Sequence, residues 1–169
     1  MERCRVVDFA APDAARGWRA IDDVVMGGVS ASRITFERDR TVFSGRVSLD
    51  HGGGFASVRS APADFALSGF DGVELDLAGD GKRYKLNARL DAAFDGVSYQ
   101  AEFVAPRARS SVRIPFIELR ATRRGRPMPD AEPFDPERVA TFGLLIGARQ
   151  AGDFRLELFA LDAYRASRR

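Results

Sequence analysis

The sequence has few of the residues on which covalent or metal-dependent chemistry usually relies. Cys4 is the single cysteine and His51 the single histidine among 169 residues. One cysteine excludes an internal disulfide and any multi-cysteine metal site. A lone histidine before a run of glycines, with no Gly-x-Ser-x-Gly motif in the chain, lacks the partners that nucleophilic catalysis needs. We therefore expect a protein that is not an enzyme and that uses no cofactor or metal.

Long apolar runs, targeting segments and basic tracts are also missing. No apolar stretch approaches the roughly 20 residues that would cross a bilayer, and the first residues fit neither a secretory signal nor a transit peptide. The 26 basic and 24 acidic residues are interspersed and leave a net charge of +2, so no patch typical of nucleic-acid binding is predicted. Together with the single cysteine, these absences predict a cytoplasmic protein without a transmembrane segment or a nucleic-acid partner.

What the chain does contain is period-two alternation of apolar and polar residues, which predicts β-strands. Helical periodicity is confined to short connectors near residues 12–17 and 63–67 and after Pro136. Many short strands joined by Gly, Asp and Pro turns favour an all-β fold of two packed antiparallel sheets, a β-sandwich or jelly roll with few short helices. Nothing divides the chain, so one domain is expected over residues 1–169. The predicted strands are residues 33–37, 41–49, 55–60, 73–77, 84–90, 97–104, 112–116, 142–146 and 154–161.

The clearest predicted supersecondary element is a β-hairpin around Asp80-Gly81. The segments on either side, residues 73–77 and 84–90, alternate apolar and charged residues, and Asp-Gly is a common hairpin turn. In such a hairpin the two acids of the first strand would lie beside Lys85 and Arg89 of the second.

Residues 119–138 interrupt the strand pattern with four prolines and several arginines. A segment of this kind predicts a long loop, which is uncommon inside a compact domain. Its arginines, at positions 120, 123, 124 and 126, either dock an acidic partner or belong to a solvated surface. Both alternatives remain open from the sequence.

Two polar blocks, residues 22–30 and 52–59, do not follow from core packing. The glycine run 52–54 lacks the Gly-Lys-Ser/Thr and the helix of a phosphate-binding loop, so it indicates irregular backbone or close approach of chain segments. Adjacent Asp22 and Asp23 could bind a cation, act in acid–base chemistry, or accept hydrogen bonds from backbone N–H groups. The residue types leave these three alternatives open.

The same two blocks belong to a longer ordered series that begins with Asp23-Val-Val-Met-Gly-Gly-Val-Ser30 and Gly53-Gly-Phe-Ala-Ser-Val-Arg59. Over about residues 18–164 the series resembles the complex I intermediate-associated protein 30 family. The resemblance implies a galactose-binding-like β-sandwich without known catalytic residues, whose mitochondrial members help assemble the membrane arm of NADH:ubiquinone oxidoreductase. A short chain without a transit peptide is similar to a stand-alone bacterial member. The remaining blocks are residues 43–45, 79–81 with Tyr84, 97–100, 114–116, 124–126, 150–152 and 154–156.

Two functions are therefore hypotheses. The first is a non-enzymatic binding protein similar to assembly chaperones, whose loops at one sandwich edge contact a protein partner such as complex I subunits or an assembly intermediate. The alternative is a module that binds a carbohydrate or small polar ligand at the same edge. The candidate partner- or ligand-binding residues are Asp22, Asp23, Met26, Ser30, Arg59, Asp80, Tyr84, Arg124 and Arg126.

Overall fold

A computed structural model describes residues 1–23 and 27–167. Within these ranges the chain forms two antiparallel sheets connected by turns and by short 3-10 helices. The 3-10 helices are Ala14–Gly17, Asp50–Gly52, Phe116–Glu118 and Pro136–Arg138. The strands are β1 (Glu2–Asp8), β2 (Trp18–Ala20), β3 (Ala31–Glu37), β4 (Arg40–Val47), β5 (Ala56–Ser60), β6 (Gly72–Ala78), β7 (Arg83–Arg89), β8 (Ser98–Val104), β9 (Ser110–Pro115), β10 (Arg120–Arg123), β11 (Arg126–Pro127), β12 (Thr141–Ile146) and β13 (Gly152–Arg165).

The two sheets confirm the predicted β-sandwich. The first sheet has six strands in the order β3-β4-β13-β6-β9, with β1 also paired to β13, and the second has seven in the order β11-β10-β8-β7-β12-β5-β2. None of the helices in the part of the chain that the structure describes is long and apolar enough to cross a membrane. The 3-10 helices at Ala14–Gly17 and Pro136–Arg138 match predicted connectors, whereas residues 63–67 form no helix.

The longest strand, β13, organises the six-stranded sheet. Its last part pairs with β1 and its first part with β4 along one side, while β6 follows the other side. Alternate side chains of β13 enter the core, where Leu156 and Leu158 are fully buried and the Phe154 ring meets Phe43 at 4.9 Å between centroids. Burial of this kind is the main favourable contribution to folding, at roughly 25 cal/mol per Å² of apolar surface.

The predicted hairpin around Asp80 is wrong, because β6 and β7 lie in different sheets. β6 pairs with β13 and β9, whereas β7 pairs with β8 and β12. The apolar sides of both strands face each other across the core, so an arch between two sheets produces the same alternation as a hairpin within one. The acids of β6 consequently pair with arginines of their own sheet: Arg113 Nη2 lies 3.1 Å from Glu74 Oε2, and Arg109 Nη2 lies 2.8 Å from Asp76 Oδ2.

The predicted loop at residues 119–138 is partly wrong, because its first third is a small hairpin. β10 extends the seven-stranded sheet by pairing with β8, and β11 pairs back onto β10. The two-residue turn between them is Arg124-Gly125, with φ of 51° and 76°. Two consecutive left-handed residues are what a tight hairpin turn requires, and glycine adopts that backbone without strain.

A double-mutant cycle tests the placement of β6. Glu74→Gln and Arg113→Gln should show a coupling free energy of about 0.5–1 kcal/mol in urea unfolding, because the Glu74 carboxylate is nearly buried beside that guanidinium. The cycle of Glu74→Gln with Lys85→Gln is the control and should couple by less than about 0.3 kcal/mol. Stronger coupling to Lys85 than to Arg113 would contradict the separation of β6 from β7.

Candidate functional site

Asp23 is a buried structural acid. Its side chain has no exposed surface. Its Oδ1 accepts a hydrogen bond from Ser30 N at 2.9 Å, and its Oδ2 accepts from Ser30 Oγ at 2.5 Å, Gly54 N at 2.7 Å and Phe55 N at 3.3 Å. Among the alternatives for the paired acids, this geometry matches hydrogen bonding to backbone N–H groups. Asp23 thereby joins the segment before β3 to the segment before β5.

The hydrogen bonds around Asp23 also set its charge state. Burial raises the pKa of the carboxyl, but the donors from Ser30, Gly54 and Phe55 outweigh burial and hold the pKa below its ordinary value. The carboxylate is therefore ionised at neutral pH, and each of its hydrogen bonds is charge-assisted.

Two glycines make room for this carboxylate. A Cβ atom at Gly28 would lie 2.4 Å from Asp23 Cγ, and one at Gly53 would lie 2.5 Å from Asp23 Oδ2. Gly28 also donates its N–H to the main-chain oxygen of Asp23 at 2.9 Å. Close approach of chain segments thus explains Gly28 and Gly53, whereas Gly27 and Gly52 have no atom within 4 Å of a Cβ position and adopt positive φ values of 85° and 74°. For the run 52–54 the sequence predicted these two reasons, close approach or irregular backbone.

Asp22 supports the same region from the neighbouring position. Its Oδ2 accepts from Ser32 N at 2.9 Å, and its Oδ1 accepts from Ser32 Oγ at 2.6 Å and Ser57 N at 3.2 Å. The hydroxyl of Ser57 donates to the main-chain oxygen of Ile21. We call the set of Asp22, Asp23 and their hydrogen-bond donors the aspartate brace.

Asp80 and Tyr84 form a separate internal contact. Tyr84 is 1% exposed, and its hydroxyl donates to Asp80 Oδ2 at 2.9 Å, an atom that also accepts from Arg155 N at 3.0 Å. Burial, followed by the charge of Asp80, raises the pKa of Tyr84. This pair fixes the arch between β6 and β7 against β13 and offers little surface to a ligand.

The outer face of the seven-stranded sheet carries a groove of about 800 Å³. Pockets that bind small ligands usually measure roughly 300–1,000 Å³. Gly143 of β12 lies opposite Arg59 on one neighbouring strand and opposite Asn87 on the other. Because glycine places no side chain between them, the floor is deepest there. The outward-facing side chains of the floor are Ser57, Arg59, Leu145, Lys85, Asn87, Arg89, Ser98 and Gln100.

Arg59 and Arg89 give the groove its charge. Arg59 is half-buried, and burial followed by the charges of Arg89 and Arg19 lowers its pKa to about 10. Its Nη1 donates to the main-chain oxygen of Phe94 at 3.0 Å, and its guanidinium lies 5.3 Å from the centre of the Phe94 ring. Within residues 1–23 and 27–167, neither Arg59 nor Arg89 forms an ion pair with a carboxylate.

Two buried polar atoms at the groove have no protein hydrogen-bond partner in the described ranges. They are Asn87 Oδ1 and Thr141 Oγ1, and both residues line the groove. Asn87 is 8% exposed and Thr141 3% exposed. A buried polar atom without a partner costs about 1–3 kcal/mol. Because neither oxygen is accessible to solvent, a ligand that donates a hydrogen bond to one of them would recover part of that cost once neighbouring groups move aside.

The predicted site residues divide into three groups. Arg59 and Arg124 line the same groove, and Arg126 lies exposed just beyond it on β11. Asp22, Asp23 and Ser30 belong to the brace beside the loop before β5, Asp80 and Tyr84 form the separate internal contact, and Met26 lies outside the described residues. The sequence prediction missed Lys85, Asn87, Arg89, Phe94 and Asp95 as groove residues, because their outward direction on the seven-stranded sheet depends on the sheet order.

No cluster of three or more His, Cys, Asp or Glu side chains suited to a metal ion occurs in the part of the chain described by the structure. Asp22 and Asp23 accept hydrogen bonds from different donors instead of converging on one point.

Comparison with sequence families and relatives identifies two similarities. A model of the family described as Complex I intermediate-associated protein 30 matches residues 7–158. The uncharacterized protein C9E9.15 of Schizosaccharomyces pombe is 32% identical over an alignment that covers 86% of this chain and 77% of that protein.

Comparison with solved structures supports the fold. The family 11 carbohydrate-binding module of the cellulase Lic26A-Cel5E from Clostridium thermocellum has a TM-score of 0.74 at 14% identity, covering 99% of this chain and 97% of that one. The same kind of module in complex with a β-1,3-1,4-mixed-linked tetrasaccharide gives 0.72 at 15% identity, over 99% and 98% of the two chains. The agarase AgWH50C gives 0.64 at 12% identity, over 99% of this chain and 25% of the agarase.

Alanine at either crowded glycine tests the aspartate brace. Gly28→Ala and Gly53→Ala should each lower the free energy of unfolding by about 1–3 kcal/mol, because the new methyl group would displace Asp23. Gly17→Ala is the matched control, since nothing lies within 4 Å of its Cβ position, and should change stability by less than about 0.5 kcal/mol. Urea unfolding measures all three variants; equal effects would disprove the close packing.

The lowered pKa of Asp23 predicts a pH dependence. A depressed folded-state pKa stabilises the protein above the unfolded pKa of roughly 4, and this stabilisation is lost as pH falls through the folded value. Asp23→Asn should therefore cost about 1–3 kcal/mol at pH 7, with a smaller difference from the wild type below about pH 4. Urea unfolding across this range measures it, with Asp13→Asn as control because Asp13 makes no side-chain cap hydrogen bond. A difference that is constant with pH would contradict the assignment.

Proposed function

The chain belongs to the complex I intermediate-associated protein 30 family, and on that premise we propose that it is a non-enzymatic binding protein of the assembly-factor type. Its partner is a subunit or assembly intermediate of respiratory complex I. The partner occupies the groove on the seven-stranded sheet, with Arg59 at the centre of the contact.

The observation that carries this proposal is a difference in charge pairing between the two sheets. On the six-stranded sheet, most arginines form ion pairs with acids of the same sheet, the exceptions being the exposed Arg33 and Arg46, whereas the half-buried Arg59 and Arg89 in the groove form no ion pair with a carboxylate among the described residues. A half-buried cation without a counter-charge is costly to the free protein. A partner that supplies negative charge would remove that cost. The neutralised pairs are Arg3–Glu74, Arg113–Glu74, Arg109–Asp76, Arg5–Asp162, Arg40–Glu157 and Arg155–Glu37.

The shape of the groove is compatible with a segment of a protein. Its floor is four neighbouring strands, and its ends are formed by the loop before β5, the β7–β8 loop and the β10–β11 turn. A rigid sheet face bordered by loops is a common arrangement for recognition, because the sheet fixes the contacts that the loops shape. This surface also includes Arg59 and Arg124, two of the residues predicted to contact a partner.

Affinity purification from the native host tests the proposal. The tagged wild-type protein should enrich complex I subunits or an assembly intermediate after mild cross-linking, as identified by quantitative mass spectrometry. Arg59→Gln should reduce that enrichment about tenfold, because charge-assisted hydrogen bonds at the centre of an interface contribute most to binding.

The matched control is Arg33→Gln, which removes an exposed arginine from the six-stranded sheet and should leave the enrichment unchanged. Absence of complex I subunits from the wild-type purification, together with normal complex I in a deletion strain, would refute the assembly role.

A second candidate is binding of an oligosaccharide in the same groove. The two carbohydrate-binding modules share the fold over nearly the whole chain, and Asn87 Oδ1 and Thr141 Oγ1 could accept hydrogen bonds from sugar hydroxyls. Against this, the groove lining contains Phe55 and Phe94 as its aromatic residues, and Arg59 already covers the Phe94 ring. Calorimetric binding of a β-1,3-1,4-linked tetrasaccharide, abolished by Arg59→Gln, with no complex I subunit recovered, would favour this candidate.

A further inference from the structure

The β7–β8 loop places three consecutive acceptors against three groove arginines. Phe94 O accepts from Arg59 Nη1 at 3.0 Å, and Gly96 O accepts from Arg89 Nη1 at 3.0 Å. Between them, Asp95 Oδ2 accepts from Arg124 Nε at 3.0 Å. The segment 94–96 therefore presents main-chain oxygen, carboxylate and main-chain oxygen in succession, as a short acidic peptide would.

This segment leaves most of the recognition capacity of the groove unused. Each guanidinium has five N–H donors, and the loop accepts one hydrogen bond from Arg59 and one from Arg89. The carboxylate of Asp95 pairs with Arg124, which is exposed, and does not pair with Arg59 at the deeper position. The Phe94 side chain is 52% exposed, so little apolar burial holds the loop in place.

The polar atoms on the floor add a requirement for hydrogen-bond donors. Asn87 Oδ1 accepts no hydrogen bond from a protein group in the described ranges. Asn87 on β7 and Arg59 on β5 have β12 between them, with Gly143 opposite both residues. A carboxylate could occupy Arg59 while an adjacent N–H donates to Asn87. A peptide supplies both groups along one chain, because main-chain N–H donors alternate with side chains.

We propose that the groove recognises an acidic, extended peptide segment of the partner, with a carboxylate on Arg59 and Arg89, and that residues 94–96 occupy these arginines in the free protein. The proposal deepens the proposed function and rests on it in taking the groove as the partner-binding surface. The lowered pKa of Arg59 is consistent with a cation that lacks a counter-charge. A ligand carboxylate would pair with it more strongly than a main-chain oxygen does.

Fluorescence anisotropy with defined peptides tests the proposal on the full chain. The probe is a labelled octapeptide of alternating glutamate and glycine, and the matched control is the same peptide with glutamine. The wild-type protein should bind the glutamate peptide about tenfold or more tightly than the glutamine peptide, with affinity that falls as salt rises. Equal binding of the two peptides would overturn the proposal.

Three variants and one control separate the contributions to binding. Arg59→Gln should weaken the glutamate peptide about tenfold or more, and Lys85→Gln, on the same floor, should weaken it several-fold, so the conclusion survives if one variant folds poorly. Asp95→Asn should strengthen binding roughly threefold, because it removes the ion pair with Arg124 that helps hold residues 94–96 against Arg59 and Arg89. Arg33→Gln, on the other sheet, should have no effect. Weaker binding of Asp95→Asn would refute the competition between loop and ligand.

Three further results distinguish failure of the peptide proposal from failure of the assembly role. Tighter binding of an oligogalacturonate than of the glutamate peptide would replace the peptide with an acidic sugar. Recovery of complex I subunits without any preference for glutamate would leave the assembly role standing and overturn acid recognition. Glutamate-specific binding without recovery of complex I subunits would support acid recognition and overturn the assembly role.

Discussion

The ionised carboxylate of Asp23 is the constraint on which the geometry of the groove depends. It collects N–H and O–H donors from two segments that are distant in sequence, around Ser30 and around Gly54. Ser30 Oγ in turn accepts from Ser48 N at 2.9 Å, so the end of β4 joins the same network. A buried charge is tolerated because these donors replace the water it has lost. The position at which β5 enters the seven-stranded sheet follows from this network, and β5 carries Arg59.

The brace and the groove have different chemistry although they are adjacent. In the brace, negative charge is surrounded by donors and satisfied within the protein. In the groove, Arg59 and Arg89 donate to main-chain oxygens and form no ion pair among the described residues, and Asn87 keeps an unused acceptor. Satisfied polar networks rigidify a fold, whereas unsatisfied ones are found where a ligand or water completes them. The contrast separates residues that shape the surface from residues that contact a partner.

Local patterns in the sequence located most of the strands but not their partners. The alternation in β6 and β7 shows that one side of each strand is buried. The same side would be buried in a hairpin and in an arch between two sheets. Long-range pairing decides between hairpin and arch, because β13 pairs with the edge of β6 that β7 would pair with in a hairpin. The prediction missed β1, whose side chains are mostly exposed and show no apolar alternation. It also missed β2, β10 and β11, because strands of two to four residues show too little alternation to be distinguished from turns. The groove was missed because long-range pairing, and not local alternation, determines the sheet order through which Lys85, Asn87 and Arg89 converge.

The blocks by which the family is recognised consequently carry information about the fold more than about the ligand. Asp23, Gly28 and Gly53 are fixed by close approach and by hydrogen bonding, so replacing any of them disturbs the scaffold whatever the protein binds. The groove side chains Lys85 and Arg89 of β7 take no part in the hydrogen bonds of Asp22 and Asp23 and could change without loss of the brace. A scaffold held by its own internal acid can therefore present different surfaces on the seven-stranded sheet. The partner must be sought in the charge and unused hydrogen bonds of that face, to which Arg59 and Arg124 are the arginines contributed by the family blocks.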